Sequence, residues 1–119
     1  MSSDETNNYW AAYFIVSDAL SLCLDKLLSH ENKSGDPTTR GTFHAARLNL
    51  ETNRELMQTI RFRFNDGRLK IFPPNTEVIR SLAMGSAMVT GLAADPARIP
   101  EVMPMISEIF TQFQSLHEL

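Results

Sequence analysis

Apolar residues recur along this chain in steps of three and four. Over residues 3–30, Tyr9, Tyr13, Val16, Leu20, Cys23 and Leu27 fall on one helical stripe, and Trp10, Phe14, Leu24 and Leu28 widen it. Ser17, Asp18, Ser21 and Asp25 mark the polar side. Ser2, followed three residues later by Glu5, supplies a capping box at the start. The pattern predicts a long amphipathic helix over about residues 3–30. Residues 31–41 carry Asn32, Ser34, Gly35, Asp36 and Pro37 and read as a loop.

A second helix is predicted from about Thr42, where Phe43, Ala46, Leu50, Asn53, Met57 and Ile60 follow a heptad. Asn53 either fixes register within that seam or lies at its solvent edge. The heptad can run on to Phe64, but residues 59–64 also alternate with period two. Asp66-Gly67 follows, and then a second alternating run through Phe72. Asp-Gly between two such runs favours a β-hairpin near residues 59–72. Phe64 would then face Leu69 and Phe62 face Ile71, with Arg63 and Lys70 on the other side. Pro73-Pro74 ends that strand. Asn75 or Thr76 caps a third helix reaching about Ala94, with Val78, Leu82, Gly85, Val89 and Leu92 on its stripe. It carries no charge between Arg80 and Asp95, and Ala83, Gly85, Ser86, Ala87 and Gly91 are small. Such a helix is either central in a core or packed closely on a partner. After the break at Asp95-Pro96, Ile99, Val102, Ile106, Ile109, Phe113 and Leu116 predict a last helix. It starts near Ala97 or Pro100, runs to the C-terminus, and tolerates Pro104 only in its first turn. The expected fold is mainly α (α+β): about four amphipathic helices and one hairpin in a single helical protein-interaction domain, residues 1–119.

Composition narrows the function. A chain of 119 residues with 43% apolar and 21% charged residues is globular, and a net charge of −3 argues against a dedicated nucleic-acid binder. The nearly uncharged stretch 81–94 is 14 residues long, short of the roughly 18 needed to span a bilayer. The start, Met1-Ser2-Ser3-Asp4-Glu5, lacks the features of a secretory signal, and a lone Cys23 forms no internal disulfide. A cytoplasmic location, with no membrane and no nucleic acid as partner, is expected.

Chemistry is sparse. Cys23 sits on the apolar stripe, which predicts a buried, inert thiol. His30, His44 and His117 show no metal-ligand spacing, His30 serving more simply as a charge at a helix C-terminus. The five glycines form no phosphate-binding pattern. No catalytic residue, metal or cofactor is expected, and an enzyme is not the favoured reading.

Three features exceed what a plain domain requires. The run Tyr9-Trp10-Ala11-Ala12-Tyr13-Phe14-Ile15-Val16 is apolar right around the helix, so it is either covered on both flanks or offers a contact surface. Met57, Met84, Met88, Met103 and Met105 either fill the core or make an adaptable surface. Arg61, Arg63, Arg68 and Lys70 form a basic strip that is solvated or paired within the molecule, met by a protein partner, or, as the least favoured reading, by nucleic acid. Tyr9, Trp10, Tyr13 and Phe14, with Met84 and Met88, are the candidate partner-binding residues. The apolar surface also favours a homodimer.

The aromatic segment Tyr9-Trp10-Ala11-Ala12-Tyr13-Phe14 and the segment Met84-Gly85-Ser86-Ala87-Met88, on a small acidic helical chain, resemble the QslA-type quorum-sensing antiactivators. These sequester LuxR-type transcriptional regulators. The resemblance implies a dimer that binds the regulator's ligand-binding domain, blocks its dimerisation and so prevents DNA binding. A secretion chaperone or an immunity protein that caps an exported protein is the alternative, since small size, acidity and an apolar groove suit those roles as well.

Overall fold

The computed structural model describes residues 1–118. Among them the chain forms four α-helices, one 3-10 turn and a small antiparallel two-stranded sheet. The mainly helical architecture expected from the periodicity is therefore what forms. α1 (Ser3–Lys33) opens with the capping box: Glu5 N–H donates to Ser2 Oγ at 3.1 Å, and Ser2 N–H donates to the Glu5 carboxylate at 3.0 Å. Its stripe of Tyr9, Val16, Leu20, Cys23 and Leu27 is wholly inside, each large aliphatic contributing about 1.5–3 kcal/mol of burial.

The connection to the second helix is shorter than the predicted loop over residues 31–41. α1 continues to Lys33 and α2 (Pro37–Asn65) begins at once. Asp36 caps it, accepting from Thr39 N–H at 3.1 Å and from Thr39 Oγ1 at 2.6 Å, and Pro37 takes the first helical position, where no N–H is needed. Of the residues that suggested a loop, Asn32 lies in the last turn of α1, Ser34 and Gly35 make the short connection, and Asp36 and Pro37 start α2.

The predicted hairpin over residues 59–72 is corrected in its first half. Residues 59–65 remain helical because Met57, Ile60 and Phe64 continue the buried stripe, and Phe64 stacks on Tyr9 at 4.6 Å. Phe62, which the hairpin would have covered, is 70% exposed. Asp66-Gly67 ends the helix: Gly67 takes φ +70°, its N–H donates to Phe64 O, and Arg68 N–H donates to Arg63 O at 2.9 Å. That is a Schellman motif, which uses the same left-handed glycine as a hairpin turn. The second predicted strand does form, as β1 (Lys70–Ile71). Its partner is β2 (His117–Glu118) at the far end of the chain, with Ile71 opposite His117 and Lys70 opposite Glu118.

α3 (Thr76–Ala93) is capped by Asn75, whose side chain accepts from Val78 N–H at 2.9 Å. A 3-10 turn over Pro96–Arg98 leads into α4 (Ile99–Gln114). Two expectations for this last helix are corrected. It stops at Gln114 so that the chain can turn into β2, and Pro104 lies in its second turn. Pro104 cannot donate to the carbonyl of Pro100, yet both residues are exposed, so water can satisfy that oxygen.

α1 is the central helix, with α2 packed along one flank and α3 along the other; α4 lies on α3 and, less extensively, on α1. The resulting slab measures 52 × 26 × 17 Å. Gly85 allows close approach of α3 to α4, since a Cβ there would meet the Ile109 side chain at 3.3 Å. No helix of the described residues is long and apolar enough to cross a membrane.

Candidate interaction surfaces

The six candidate contact residues divide by depth. Tyr9 and Tyr13, 0% and 3% exposed, belong to the core, which corrects their assignment to a contact surface. The cause is the central position of α1, which covers this part of the helix from two sides. Tyr9 stacks between Phe64 and Phe113, and its hydroxyl lies 2.6 Å from His117 Nε2; Tyr13 donates to Met57 O at 3.1 Å. Trp10 is half-buried, edge-on to Tyr13 and Phe64. Phe14 is 45% exposed, Met84 67% and Met88 58%.

Two grooves run beside the outer face of α1. On the α3 side, Ile15, Ala19 and Leu22 face Ala83, Ser86 and Ala87 across a shallow groove of about 350 Å³. Leu22 is 47% exposed there, and Met84 and Met88 stand on the adjoining face of α3. Asp18 is the only charged residue of its lining. Helix three has small residues where it meets α1, so the surface is low and apolar.

The α2 side is polar. Ser17 and Ser21 of α1 face Arg54, Gln58 and Arg61 of α2 across a cleft of about 450 Å³, floored by Tyr13 and Met57. Arg61 lies over the Trp10 and Phe14 rings, 5.8 and 5.9 Å from their centroids. Further along the same seam, Arg47 binds Glu31 at 2.9 Å and Glu51 at 2.8 Å, and His44 Nδ1 lies 2.9 Å from Glu31. The Arg47 contact chiefly holds the Glu31 carboxyl below its ordinary range. Of the predicted basic strip, Arg68 pairs with Asp66 at 2.7 Å and Lys70 with Glu118 at 3.6 Å, while Arg61 and Arg63 project from α2. Arg63 does not oppose Lys70, because its segment is helical.

The remaining reactive groups are committed to structure. Burial pushes the Cys23 thiol up to about 11. Burial likewise raises Tyr9 and lowers His117, so the imidazole is held neutral; with Nδ1–H directed at Gln114 O, Nε2 accepts from the Tyr9 hydroxyl. His30 Nε2 donates at 2.7 Å to Ala93 O, the end of α3 rather than of its own helix. Asn53 lies half-buried on a groove between α2 and α4, at the edge of the seam. Among the described residues no three His, Cys, Asp or Glu side chains are grouped to hold a metal ion.

Sequence reasoning missed Leu22, which the polar neighbours Ser21 and Asp25 disguised, and it missed Arg54, which belongs to no basic run. Compared with protein-family models, curated proteins and solved structures, the chain matches none of them.

Proposed function

We propose that the protein acts by binding another protein through the outer face of α1 and α3. The observation that carries this reading is the exposure of Leu22, Met84 and Met88 beside a groove of small residues. Large apolar side chains grouped on a soluble surface mark contact sites, and thioethers adapt to the partner's shape. The partner's matching element is an apolar helix, its side chains lying over Ala83 and Ala87.

The resemblance noted in the sequence makes that partner a LuxR-type transcriptional regulator. Covering the regulator's own apolar dimerisation surface would stop it pairing on DNA, so the protein would act as an antiactivator. Without the regulator, the same face would hold two copies of this chain together as a homodimer. Such a role needs no catalytic group and no cofactor.

The test is a pull-down of tagged protein from its own cells, repeated with Met84→Asp/Met88→Asp. Both positions are exposed, so the variant should fold and its circular dichroism should match the parent. A regulator recovered with the parent, lost with the variant, and unable to bind DNA once the parent is added would support the reading. Recovery of an exported protein would favour the chaperone or immunity role instead. Equal recovery with parent and variant would move the contact away from α3.

A further inference from the structure

The cleft on the α2 side of α1 has a composition that the α1–α3 reading does not use. Arg54, Gln58, Arg61 and Asn65 recur at four, three and four residues along one face of α2, opposite Ser17 and Ser21. No acidic side chain lines the cleft. Further along the seam, Glu31 and Glu51 are already taken by Arg47 and His44. Arg54 and Arg61 form no ion pair among the described residues. A protein of net charge −3 thus keeps two unpaired guanidiniums, two helical turns apart, along one cleft with an apolar floor.

We infer that this cleft recognises an extended acidic segment of a partner protein, its carboxylates binding Arg54 and Arg61. The spacing fits. Seven residues of helix separate the two arginines by roughly 10.5 Å, and one turn of a segment extended as polyproline II, three residues, spans roughly 9 Å and returns the side chain to the same face. Acidic residues three apart would therefore reach both guanidiniums, while Ser17, Ser21 and Gln58 supply hydrogen bonds to the intervening backbone. Arg61 is held over Trp10 and Phe14, so it loses less side-chain freedom on binding than a free arginine. Phe62, 70% exposed at the rim, can pack on an apolar side chain of the segment.

A small free acid suits the cleft less well. Both guanidiniums are exposed, and a single solvent-exposed pair strengthens binding by no more than about fivefold. Several contacts along one chain are needed for useful affinity. A nucleic-acid backbone also fits poorly, because its affinity comes from neutralising many phosphates and this cleft offers two arginines on a net-acidic chain. The inference is independent of the α1–α3 face, so either can fail alone.

The full chain reports on the site directly, because its one tryptophan is Trp10, against Arg61. A fluorescein-labelled heptaglutamate peptide, titrated in low-salt buffer, should raise the anisotropy and change the Trp10 emission. Affinity should fall by about tenfold in Arg54→Gln/Arg61→Gln, the combined loss of two exposed charge pairs, and be restored in part by Arg61→Lys. Arg80→Gln, an exposed arginine of α3, should leave it unchanged. Absence of binding at low salt would overturn the inference, as would binding that the double variant retains. Tighter binding of glutarate or of single-stranded oligothymidine at the same arginines would overturn it in favour of those ligands.

Discussion

The two flanks of α1 are built to different rules. Toward α3 the seam is tight and carries almost no charge: Leu82, Val89 and Ala93 are wholly buried and Ala83 and Ala87 stand at its rim. Toward α2 the seam opens into a polar cleft, with a satisfied ion-pair network at one end and unpaired arginines at the other. One helix can do both because its residues lie on three arcs, one buried, one turned to each neighbour. The α3 side is specified by shape, where any charge is costly. The α2 side is specified by charge, where shape is loose and a charge can be changed cheaply.

The sharpest way to break that contrast is to place a carboxylate on each side. Val89→Asp puts an unpaired charge where nothing is exposed. It should cost about 4–5 kcal/mol or more, enough to unfold a marginal domain, visible as lost helical dichroism at room temperature. Gln58→Asp places the same group beside Arg54 and Arg61. Its thermal midpoint should stay near that of the parent, while heptaglutamate binding is lost, because the cleft now carries its own acid. A stable Val89→Asp variant would show that the α3 side is less dry than its burial suggests.

Helices α2 and α4 meet at Tyr9, which is stacked between Phe64 and Phe113 and joined to His117. Tyr9→Phe keeps the stacking and deletes only the hydroxyl. The expected loss is about 1–3 kcal/mol by urea unfolding, most of it from leaving a buried imidazole nitrogen without a donor. A smaller effect follows from pH. Burial holds the folded His117 below its ordinary value, so the neutral ring is favoured in the fold. As pH falls through about 6.5 the unfolded chain takes up the proton first. The stability contributed by neutral His117 is complete above that pH and is lost below it, toward the depressed folded value. Urea midpoints at pH 7.5 and pH 5.5 should differ in that direction (about one unit each side of the reference value). His117→Gln should show less of the difference. Equal slopes in both proteins would place the titrating group elsewhere.

Local signals made much of this fold legible and misled where distant contacts decide the outcome. The capping box at Ser2 and Glu5, the stripe from Tyr9 to Leu27, and the cap at Asn75 are short-range features that the sequence carries in full. Residues 59–67 were ambiguous because a left-handed glycine ends a helix or turns a hairpin with equal ease. The choice was made at a distance, by the stacking of Phe64 on Tyr9. The pairing of β1 with the last residues was out of reach for the same reason, since nothing near Lys70 names Glu118. Phe14, Met84 and Met88 were legible as surface candidates, whereas Tyr9 and Tyr13 were not separable from them. A periodic stripe reports one face, and α1 has two covered flanks.

The smallest expected effect concerns Ser86, the single buried hydroxyl among the described residues with no hydrogen-bond partner. It lines the α1–α3 groove, while Thr90 Oγ1 below it donates to the Ser86 carbonyl at 2.7 Å. Leaving a desolvated hydroxyl unpaired is unfavourable, and alanine is also the better helix former. Ser86→Ala should therefore raise stability by about 0.5–1 kcal/mol. The matching change across α1, half-buried Ser17→Ala in the wetter cleft, should stay within about 0.5 kcal/mol of the parent, because water reaches its hydroxyl. A gain on one side with none on the other is the signature of a dry seam beside a wet one. A loss at Ser86 would instead mean that its hydroxyl holds a water or a neighbouring group in the free protein, and the α1–α3 groove would have to be counted among the polar ones.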